Sequence, residues 1–489
     1  MSEHESYVEE LTDKSDDYSR WYTEVILKAQ LADYAPVRGC MVIRPYGYAL
    51  WEHMQSLLDA RFKATGHTNA YFPLLIPESF LAREAEHVAG FAPEVAWVTQ
   101  GGNEPLEERL AIRPTSEAII GMMYSRWVHS WRDLPILINQ WCNVMRWEKV
   151  TRLFLRTTEF LWQEGHTVHR TEEEAEEETL KMLRVYRDFV QEDLAVPVIA
   201  GRKSEAEKFK GAQTTYSIEA MMGDGKALQA GTSHNLGQHF ARVFDITFQD
   251  MDGERKYAWQ TSWGASTRLI GAIIMVHGDD SGLIMPPKVA PTQAVVIPIW
   301  RKDAEKEEVA AFVDQLRGAL EGVRFQVDWD DQHTVGWKYN EWEMRGVPIR
   351  IEVGPRDVRN QQVVLVRRDT RAKEIVPLAN VGSRVKELLV QIQSDMFERA
   401  RTFMAERTLV VNNFDEFKRE IVVETEGSRR AQSRFLLAGW CGSPECEARI
   451  KDETAATIRN IPLDGEAEEG SCVWCGRPSK QRVVFGRSY

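Results

Sequence analysis

Residues 141–166, WCNVMRWEKVTRLFLRTTEFLWQEGH, form the stretch from which the rest of the chain can be interpreted. Their Trp, Phe, Val and Thr content predicts two strands, 140–147 and 154–162, joined by a charged loop. Charged side chains recur among the apolar ones: Arg146, Glu148, Arg152, Arg156, Glu159 and Glu164. A sheet that buries arginines and carboxylates must pair them with one another or with a ligand. Because arginine suits phosphate and carboxylate, the hairpin indicates either the floor of an anion site or a structural ladder of ion pairs.

The overall composition limits the class of protein. The chain has 489 residues, which predicts about three domains. Its formal net charge of -13 argues against a uniformly basic surface but allows a local basic face for nucleic acid. The polar, acidic N-terminus has no apolar core of a secretory signal, and no apolar run approaches the roughly 20 residues of a membrane span. We therefore expect a cytoplasmic protein with no membrane segment.

A long helix and a strand precede the hairpin. Apolar residues recur at helical spacing from Pro45, and Gly66 follows them as a C-cap glycine would. Residues 69–77, NAYFPLLIP, then predict a strand that its prolines terminate.

The sequence RPTSE, residues 113–117, opens a predicted helix and has two interpretations. Ser, Thr and Glu favour the first turn of a helix, so Thr115 and Glu117 could simply cap it. Alternatively, the hydroxyl and the carboxylate together could bind a cationic amine. The residues alone favour capping.

Two later stretches place polar groups beside glycine. In ALQAGTSHNLGQHF, residues 227–240, the side chains of Gln229, Thr232 and His234 crowd around a glycine, which allows either close approach of a ligand or an internal hydrogen-bond network. In QTSWGASTRLIG, residues 260–271, a strand ends at Gly264 and a helix starts around Ser266. Arg268 in the first turn of that helix either binds phosphate beside the free N–H groups or points to solvent.

The pattern of predicted secondary structure changes after the Pro-rich linker MPPKVAPT, residues 285–292. Strand-like and helix-like segments alternate over 292–395 and predict a compact α/β domain. Its later part is rich in arginine, which indicates either a nucleic-acid face or charged strand edges that discourage aggregation. These arginines are Arg345, Arg350, Arg356, Arg359, Arg367, Arg368 and Arg371.

Four of the six cysteines lie near the C-terminus. Cys441 and Cys446 have four residues between them, Cys472 and Cys475 have two, and 25 residues separate the pairs. This spacing predicts a tetrahedral Zn²⁺ site with four thiolate ligands and a structural role, because no coordination position stays open. Two disulfides are the alternative, which a reducing compartment disfavours.

Together these pieces resemble a class II aminoacyl-tRNA synthetase, and within that class the prolyl-tRNA synthetase family. RPTSE, FLWQEGH, GTSHNLGQ and SWGASTR are similar to the family's motifs in order and spacing. The resemblance implies an α/β (α+β) architecture with three domains. They are a catalytic domain on an antiparallel sheet at 1–285, an α/β anticodon-binding domain at 286–395, and a small zinc-binding α+β domain at 396–489, as in the archaeal and eukaryotic branch.

By the same resemblance, the protein joins L-proline to tRNA(Pro) with ATP and Mg²⁺. Arg146 and Arg268 would be the catalytic residues. The proline site would comprise Thr115, Glu117, Arg146, Trp162 and His234. The ATP site would comprise Arg146, Glu148, Arg156, Thr157, Glu159, Gln229, Thr232, Ser266 and Arg268. Arg350, Glu352 and Arg356 would contact the anticodon, since arginine reads guanine well.

The resemblance also implies a homodimer, formed through the helix and strand at 45–77. Only about 60 residues separate His166 from Gln229, too few for an internal editing domain, so editing would fall to a separate protein. A synthetase-like regulatory protein, a threonine enzyme and a pure RNA-binding protein are the alternatives. The arginines at both phosphate positions, with Glu117 and Glu148, argue against the first. By family analogy the zinc of the threonine enzyme lies in its active site, whereas these cysteines lie in a separate C-terminal domain. A pure RNA-binding protein would not need the amine-binding and ATP-binding residues together.

Overall fold

The structure, a computed structural model, describes residues 11–87, 94–423, 431–465 and 468–489. Its helices are α1 (Tyr18–Lys28), α2 (Pro45–Ala64), α3 (Glu78–His87), α4 (Glu117–Trp127), α5 (Glu172–Glu192), α6 (His239–Phe244), α7 (Arg268–His277), α8 (Asp303–Ala319), α9 (Val335–Met344), α10 (Pro355–Arg359), α11 (Val381–Glu406), α12 (Phe414–Glu420) and α13 (Pro444–Thr454).

The strands before the linker are β1 (Ala32–Tyr34), β2 (Met41–Ile43), β3 (Thr68–Asn69), β4 (Leu75–Pro77), β5 (Trp97–Gly101), β6 (Glu104–Ile112), β7 (Ile136–Met145), β8 (Glu159–His169), β9 (Val198–Arg202), β10 (Thr214–Met221), β11 (Ala227–Gly237), β12 (Thr247–Gln249), β13 (Arg255–Tyr257) and β14 (Trp259–Ser266). Those after it are β15 (Ala294–Pro298), β16 (Phe325–Val327), β17 (Ile349–Val353), β18 (Gln362–Arg367), β19 (Lys373–Pro377), β20 (Thr408–Val410), β21 (Val422–Val423), β22 (Gln432–Ser433), β23 (Phe435–Gly439), β24 (Thr457–Pro462), β25 (Gly470–Ser471), β26 (Pro478–Ser479) and β27 (Arg482–Gly486).

A mainly antiparallel sheet of 11 strands organises the structure, in the order β20-β23-β27-β24-β9-β10-β11-β14-β8-β7-β3. Strands β9 to β11, β14, β8 and β7 pair antiparallel, which confirms the predicted class of catalytic fold. Helices α2, α5 and α7 supply the core on one face. Phe62 of α2 lies 4.9 Å from the Trp263 ring of β14, and Tyr186 of α5 lies 6.2 Å from it.

The hairpin β7–β8 exists, but its bounds differ from the prediction. The second strand begins at Glu159 instead of 154 and continues to His169. Residues 150–158 form a loop whose Leu153, Phe154 and Leu155 are buried, with Phe154 at φ +60°. The apolar run therefore fills the core from a loop, which periodicity alone cannot distinguish from a buried strand.

Other bounds show smaller differences. Helix α2 begins at Pro45 as predicted, and Gly66 follows its C-cap with φ +88°. Of residues 69–77, only Leu75–Pro77 continue as a strand after the break at Pro73. Strand β14 runs to Ser266, so α7 begins two residues later than expected, at Arg268.

The segment after the linker forms the predicted α/β domain. Its sheet has the order β16-β15-β17-β18-β19, with β15, β16 and β17 parallel and β18 and β19 antiparallel. Helices α8 and α11 pack on it through Val309, Phe312 and Val385, all buried. Helix α11 continues to Glu406 and so crosses the boundary expected at residue 395.

The C-terminal strands extend the catalytic sheet. Strand β24 pairs with β9 at Ile461↔Arg202 and Pro462↔Gly201, and β27 and β23 follow it outward. The cysteine-rich part of the chain is thus bound edge to edge to the sheet that carries the candidate site. No helix among the described residues is long and apolar enough to cross a membrane.

Candidate active site

A cavity of about 520 Å³ opens above the centre of the large sheet. Its floor is formed by β8, β14 and β11, whose register aligns Glu164 with Gly264 and Thr232 in one row across the sheet. Because Gly264 has no side chain, the middle of that row stays open for a ligand. Nine of the residues predicted for the site line the cavity: Thr115, Glu117, Arg146, Trp162, Gln229, Thr232, His234, Ser266 and Arg268.

The other four predicted residues lie beside the cavity and do not line it. Glu148 and the exposed Arg156 belong to the loop between β7 and β8. Thr157 is buried and donates its hydroxyl proton to the Glu159 carbonyl at 2.7 Å. The Glu159 carboxylate accepts from Asn143 at 2.8 Å.

The RPTSE segment presents a buried hydroxyl and carboxylate. Ser116 is the N-cap of α4 but makes no side-chain capping bond, which disfavours the capping interpretation. The Thr115 hydroxyl instead donates to the Glu117 carboxylate, and both residues line the cavity. The loop is held in place by Arg113, fully buried, which donates to the carbonyls of Asn143 and Phe72, both at 2.7 Å.

A second buried carboxylate, Glu164, sits at the centre of a polar network. It accepts from Ser116 Oγ and, at 2.9 Å, from Gln140 Nε2, and its other oxygen lies 2.9 Å from His166 Nε2. Burial alone would raise the pKa of Glu164, but the bonds from His166, Ser116 and Gln140 outweigh it and lower the pKa. For His166, burial lowers the pKa, and the bond and charge of Glu164 more than reverse this. The two side chains therefore form a buried hydrogen-bonded pair in which each favours the charged form of the other.

Arg146 lies against this acidic group. It donates from Nε to the Pro114 carbonyl at 3.0 Å, and its guanidinium lies 5.3 Å from the Trp162 ring and 5.5 Å from the Phe160 ring. Burial lowers its pKa, while the carboxylates of Glu117, Glu164 and Glu148 raise it. Because the anchoring bond uses Nε, the planar fork of Arg146 is oriented while its outer amines can still bind a ligand.

Arg268 adds a second cation, half-buried, at the start of α7. Its Nε donates to the Leu155 carbonyl at 3.0 Å, and its backbone N–H donates to Ser266 Oγ at 3.2 Å. Burial, followed by the positive charges of Arg156 and Arg146, lowers the pKa of Arg268 to about 10. The side chain stays charged at neutral pH, and the mutual repulsion of these arginines favours an anion between them.

An aromatic wall closes the cavity. His234 Nδ1 lies 2.9 Å from the Thr215 hydroxyl, and its ring centroid lies 5.0 Å from that of Phe209. Burial and then the nearby His166 lower the pKa of His234 to about 3, so this ring is neutral at pH 7. On the opposite face of the sheet, toward α2 and α5, Trp263 packs over Gly165, where an added Cβ would lie 2.1 Å from the indole ring.

The structure adds lining residues that the sequence analysis did not select. Phe160, Glu164 and His166 share the cavity face of β8 with Trp162, and the two-residue period of a strand could have identified them. Glu207, Lys208 and Phe209 line the cavity from the loop between β9 and β10. No sequence signal pointed to that loop.

The four C-terminal cysteines are brought together. Their Sγ atoms all lie within 4.8 Å of one another, and Cys441 Sγ is 3.7 Å from the Sγ atoms of both Cys446 and Cys475. A tetrahedral ion with Zn–S bonds of about 2.3 Å would place its sulfurs about 3.8 Å apart. The thiols are free, which excludes the disulfide alternative in this structure. The group can hold a metal ion.

Several arginines of the predicted basic surface are instead paired. Arg368 donates to both oxygens of Asp279, at 2.8 and 2.5 Å, across to the catalytic part of the chain. Arg367 bonds Asp369 and Asp395. The basic face is therefore smaller than the sequence suggested, because partners distant in sequence neutralise part of it.

Arg350 is also bound within the domain. It contacts Glu343 at 2.7 Å and Glu352 at 3.0 Å and stacks 3.8 Å from the Tyr339 ring centroid, whereas Arg356 is exposed on α10.

The antiparallel sheet and its cavity, with half-buried arginines facing buried carboxylates, define a class II aminoacyl-tRNA synthetase. Residues 97–277 match the tRNA synthetase class II core domain (G, H, P, S and T), residues 293–388 the anticodon binding domain, and residues 428–489 the C-terminal domain of prolyl-tRNA synthetase. The chain belongs to the prolyl-tRNA synthetase family.

Individual relatives agree over the whole length. The chain is 58% identical to the proline–tRNA ligase of Natranaerobius thermophilus and 59% identical to that of Rubrobacter xylanophilus, each over 99% of both chains. The prolyl-tRNA synthetase of Cryptosporidium parvum, solved with halofuginone and AMPPNP, superposes with a TM-score of 0.92 at 41% identity, covering 98% of this chain and 99% of that one. The family and fold predicted from the sequence are thus confirmed. So is the activity: the chain is an ATP-using ligase that joins proline to its tRNA.

Proposed function

We propose that the cavity binds L-proline beside its carboxylates and the α-phosphate of ATP beside Arg146 and Arg268. One observation carries the proposal: Arg146 lines the cavity together with Glu117 and Glu164 and with the second cation, Arg268. Its guanidinium is anchored by Nε to the Pro114 carbonyl at 3.0 Å. A side chain in this position can contact the carboxylate of the amino acid and the phosphate that it attacks.

The proline assignment uses the acidic side. The Glu117 carboxylate, which also accepts from the Thr115 hydroxyl, would accept a hydrogen bond from the secondary amine of proline. Arg146 would bind the carboxylate of proline. Trp162 and the neutral His234 would wall the ring. A charged amine is matched by a buried carboxylate, and burial strengthens that attraction.

The ATP assignment uses the basic side and the loop beyond it. Arg146 would bind the α-phosphate, and Glu148 the adenine amino group. Arg156, Thr157 and Arg268 would hold the phosphate tail, with Ser266 and Thr232 beside the nucleotide. Glu159 and Gln229 supply the oxygens that suit Mg²⁺, which would bridge and neutralise the phosphates.

The chemistry follows from this placement. The proline carboxylate attacks the α-phosphorus, forming prolyl-adenylate and pyrophosphate. The 3′ end of the tRNA then attacks the prolyl carbonyl. Two anions must meet in the first step, so the contribution of Arg146 and Arg268 is positioning and charge stabilisation, and no protein nucleophile is required.

For tRNA(Pro), we propose that the α/β domain reads the anticodon through Arg350, Glu352 and Arg356. Aromatic side chains near the carboxyl ends of β15 and β16 support an RNA surface. His333 stacks on Trp337 with ring centroids 3.7 Å apart, and Trp300 lies 5.9 Å from Trp329. Splayed bases stack on such rings.

We propose that Cys441, Cys446, Cys472 and Cys475 hold one structural Zn²⁺. Four protein thiolates leave no open position for a substrate. Because free thiols persist in a reducing compartment, the same group supports a cytoplasmic location.

We also propose a homodimer. Tyr34, Val37 and Val42, on or beside the β1–β2 hairpin, are 61, 57 and 50% exposed, and a second copy would cover them.

Between His166 and Gln229 lie α5, β9 and β10, all packed in the catalytic unit, so editing of misacylated tRNA would need a separate protein.

The test separates the two halves of the site. Glu117→Gln should raise KM for proline with little change in KM for ATP, and Arg268→Ala should lower the rate with ATP, both measured by proline-dependent exchange of labelled pyrophosphate into ATP. The exposed residues Glu254 and Arg126 supply matched controls, Glu254→Gln and Arg126→Ala. An unchanged KM for proline in folded Glu117→Gln would contradict the assignment.

Alanine and threonine serve as competing substrates in the same assay. A snug apolar pocket rejects a smaller side chain by only about 1–3 kcal/mol, so alanine should give weak but measurable exchange. A complete lack of alanine-dependent exchange would contradict the pocket argument.

A further inference from the structure

The loop at 203–213, between β9 and β10, forms part of the cavity wall, and none of its residues belongs to the proposed proline or ATP sites. Glu207, Lys208 and Phe209 of this loop line the cavity. The Phe209 backbone N–H donates to Thr215 Oγ1 at 3.0 Å, and the same hydroxyl lies 2.9 Å from His234 Nδ1. A shift of the loop would therefore move the aromatic wall of the amino acid pocket.

The first turn of this loop is attached to the C-terminal part of the chain. Ser204 Oγ donates to Glu447 Oε1 at 2.7 Å, and the two residues are 2% and 5% exposed. The same Ser204 Oγ accepts the Glu207 backbone N–H at 3.3 Å. Glu447 directly follows Cys446 in α13. One hydroxyl thus joins the cysteine-bearing helix to the turn that carries the cavity residues.

Further contacts near this bond also attach the loop to the C-terminal part of the chain. Lys203 Nζ donates to the Arg459 carbonyl at 2.7 Å and to Glu219 Oε1 at 2.8 Å, while the Arg459 guanidinium donates to Glu219 Oε2 at 3.1 and 3.0 Å. Lys451 Nζ lies 3.9 Å from Glu207 Oε1. These contacts fix the base of the loop, but only the Ser204–Glu447 bond holds its first turn through a buried side-chain pair among the described residues.

We propose that Ser204 and Glu447 are positioning residues for proline binding. Through their hydrogen bond, the cysteine-bearing module holds the 203–213 loop in the conformation that completes the amino acid pocket. The inference rests on the proposed assignment of the cavity to proline. It predicts that a change in α13, on the far side of the sheet edge, alters selection of the amino acid and leaves ATP binding intact.

The test compares Ser204→Ala, Glu447→Ala, the double variant and Glu447→Gln in pyrophosphate exchange on the full-length protein. Each single alanine variant should raise KM for proline about tenfold, the size of effect that one lost hydrogen bond to a charged group produces. The double variant should be no worse than either single variant, because both remove the same bond. Glu447→Gln should stay near wild type, since the amide oxygen still accepts from Ser204. Glu453→Ala, exposed on the same helix, is the matched control.

Several outcomes would overturn the inference: an unchanged KM for proline, equal increases in KM for proline and ATP, or additive effects in the double variant. If Glu447→Ala does not fold, Ser204→Ala with Glu447→Gln still decides the matter, because these changes remove or keep one bond with little change in volume. Glu117→Gln in the same experiment separates the two proposals. If Glu117→Gln raises KM for proline and Ser204→Ala does not, only the positioning role fails. If Glu117→Gln has no effect, the pocket assignment itself fails.

Discussion

Removing the Arg146 side chain is the most direct perturbation of the proposed reaction. The guanidinium is anchored to the Pro114 carbonyl by Nε at 3.0 Å and lies 5.3 Å from the Trp162 ring. If its outer amines bridge the proline carboxylate and the α-phosphate, Arg146→Ala removes one charge-assisted hydrogen bond to each reactant. At about 1.5–3 kcal/mol for each such bond, the transition state loses about 3–6 kcal/mol.

That loss corresponds to a fall in kcat/KM of roughly 10²- to 10⁴-fold, since about 1.4 kcal/mol is a factor of ten. Burial of the site places the expected value in the upper part of that range, because water does not replace the lost donors well. Contact with only one of the two anions would give about half the loss in free energy, so the magnitude itself reports whether Arg146 bridges the reactants.

The assay is proline-dependent exchange of labelled pyrophosphate into ATP. Arg146→Lys should be intermediate, because it keeps the charge and loses the planar fork. Arg126→Ala, at an exposed arginine of α4, should match wild type. Thermal unfolding of each variant would establish that it is folded. A folded Arg146→Ala protein whose kcat/KM falls by less than about 100-fold would refute the bridging role, because contact with one anion accounts for a loss below about 3 kcal/mol.

Three further predictions follow from other contacts. Because the pKa of His166 is raised and that of Glu164 is lowered, their pairing should stabilise the fold fully between about pH 4.5 and pH 6.5, the ordinary pKa values of the two groups. It should weaken as pH rises through the folded pKa of His166, and as pH falls below 4.5 through the folded pKa of Glu164. The stability difference between wild type and His166→Gln should therefore be largest near pH 6 and shrink toward pH 9; a pH-independent difference in thermal unfolding would contradict the ion pair. Metal analysis should find one zinc per chain, lost in Cys441→Ser together with the stability of the C-terminal module, and retained in Cys40→Ser; a zinc-free, fully stable wild-type protein would exclude the site. Gly165→Ala should lower stability by about 1–3 kcal/mol, because the new methyl overlaps Trp263; unfolding unchanged from wild type would show that the ring can move aside.

Much of the cavity lining could be predicted from short stretches of sequence. RPTSE and the end of SWGASTR stand at helix starts, which present neighbouring residues together, whereas GTSHNLGQ lies in β11, where residues two apart share a face. The paired cysteines are similar, because short spacing keeps each pair close. Nine of the predicted residues accordingly line one cavity.

The hairpin shows where the local sequence pattern no longer predicts the bounds of a strand. Alternation along β8 places Trp162 on the cavity face, but the apolar residues Leu153–Leu155 look the same in a buried loop as in a strand. The partners that bury them belong to other elements; Gly271 of α7, for example, packs against Leu155. Strand bounds therefore depended on tertiary packing.

The sequence by itself determined the family, the catalytic fold and nine residues that line one cavity, because those features reside in local spacing and hydrophobic period. Only the tertiary structure decided which charges are free and which are paired. Arg368 donates to Asp279, and Ser204 donates to Glu447. Neither hydrogen bond can be predicted from composition or hydrophobic periodicity. Such pairs are 89 and 243 residues apart in the chain, and only the packing of whole domains brings them within hydrogen-bond distance.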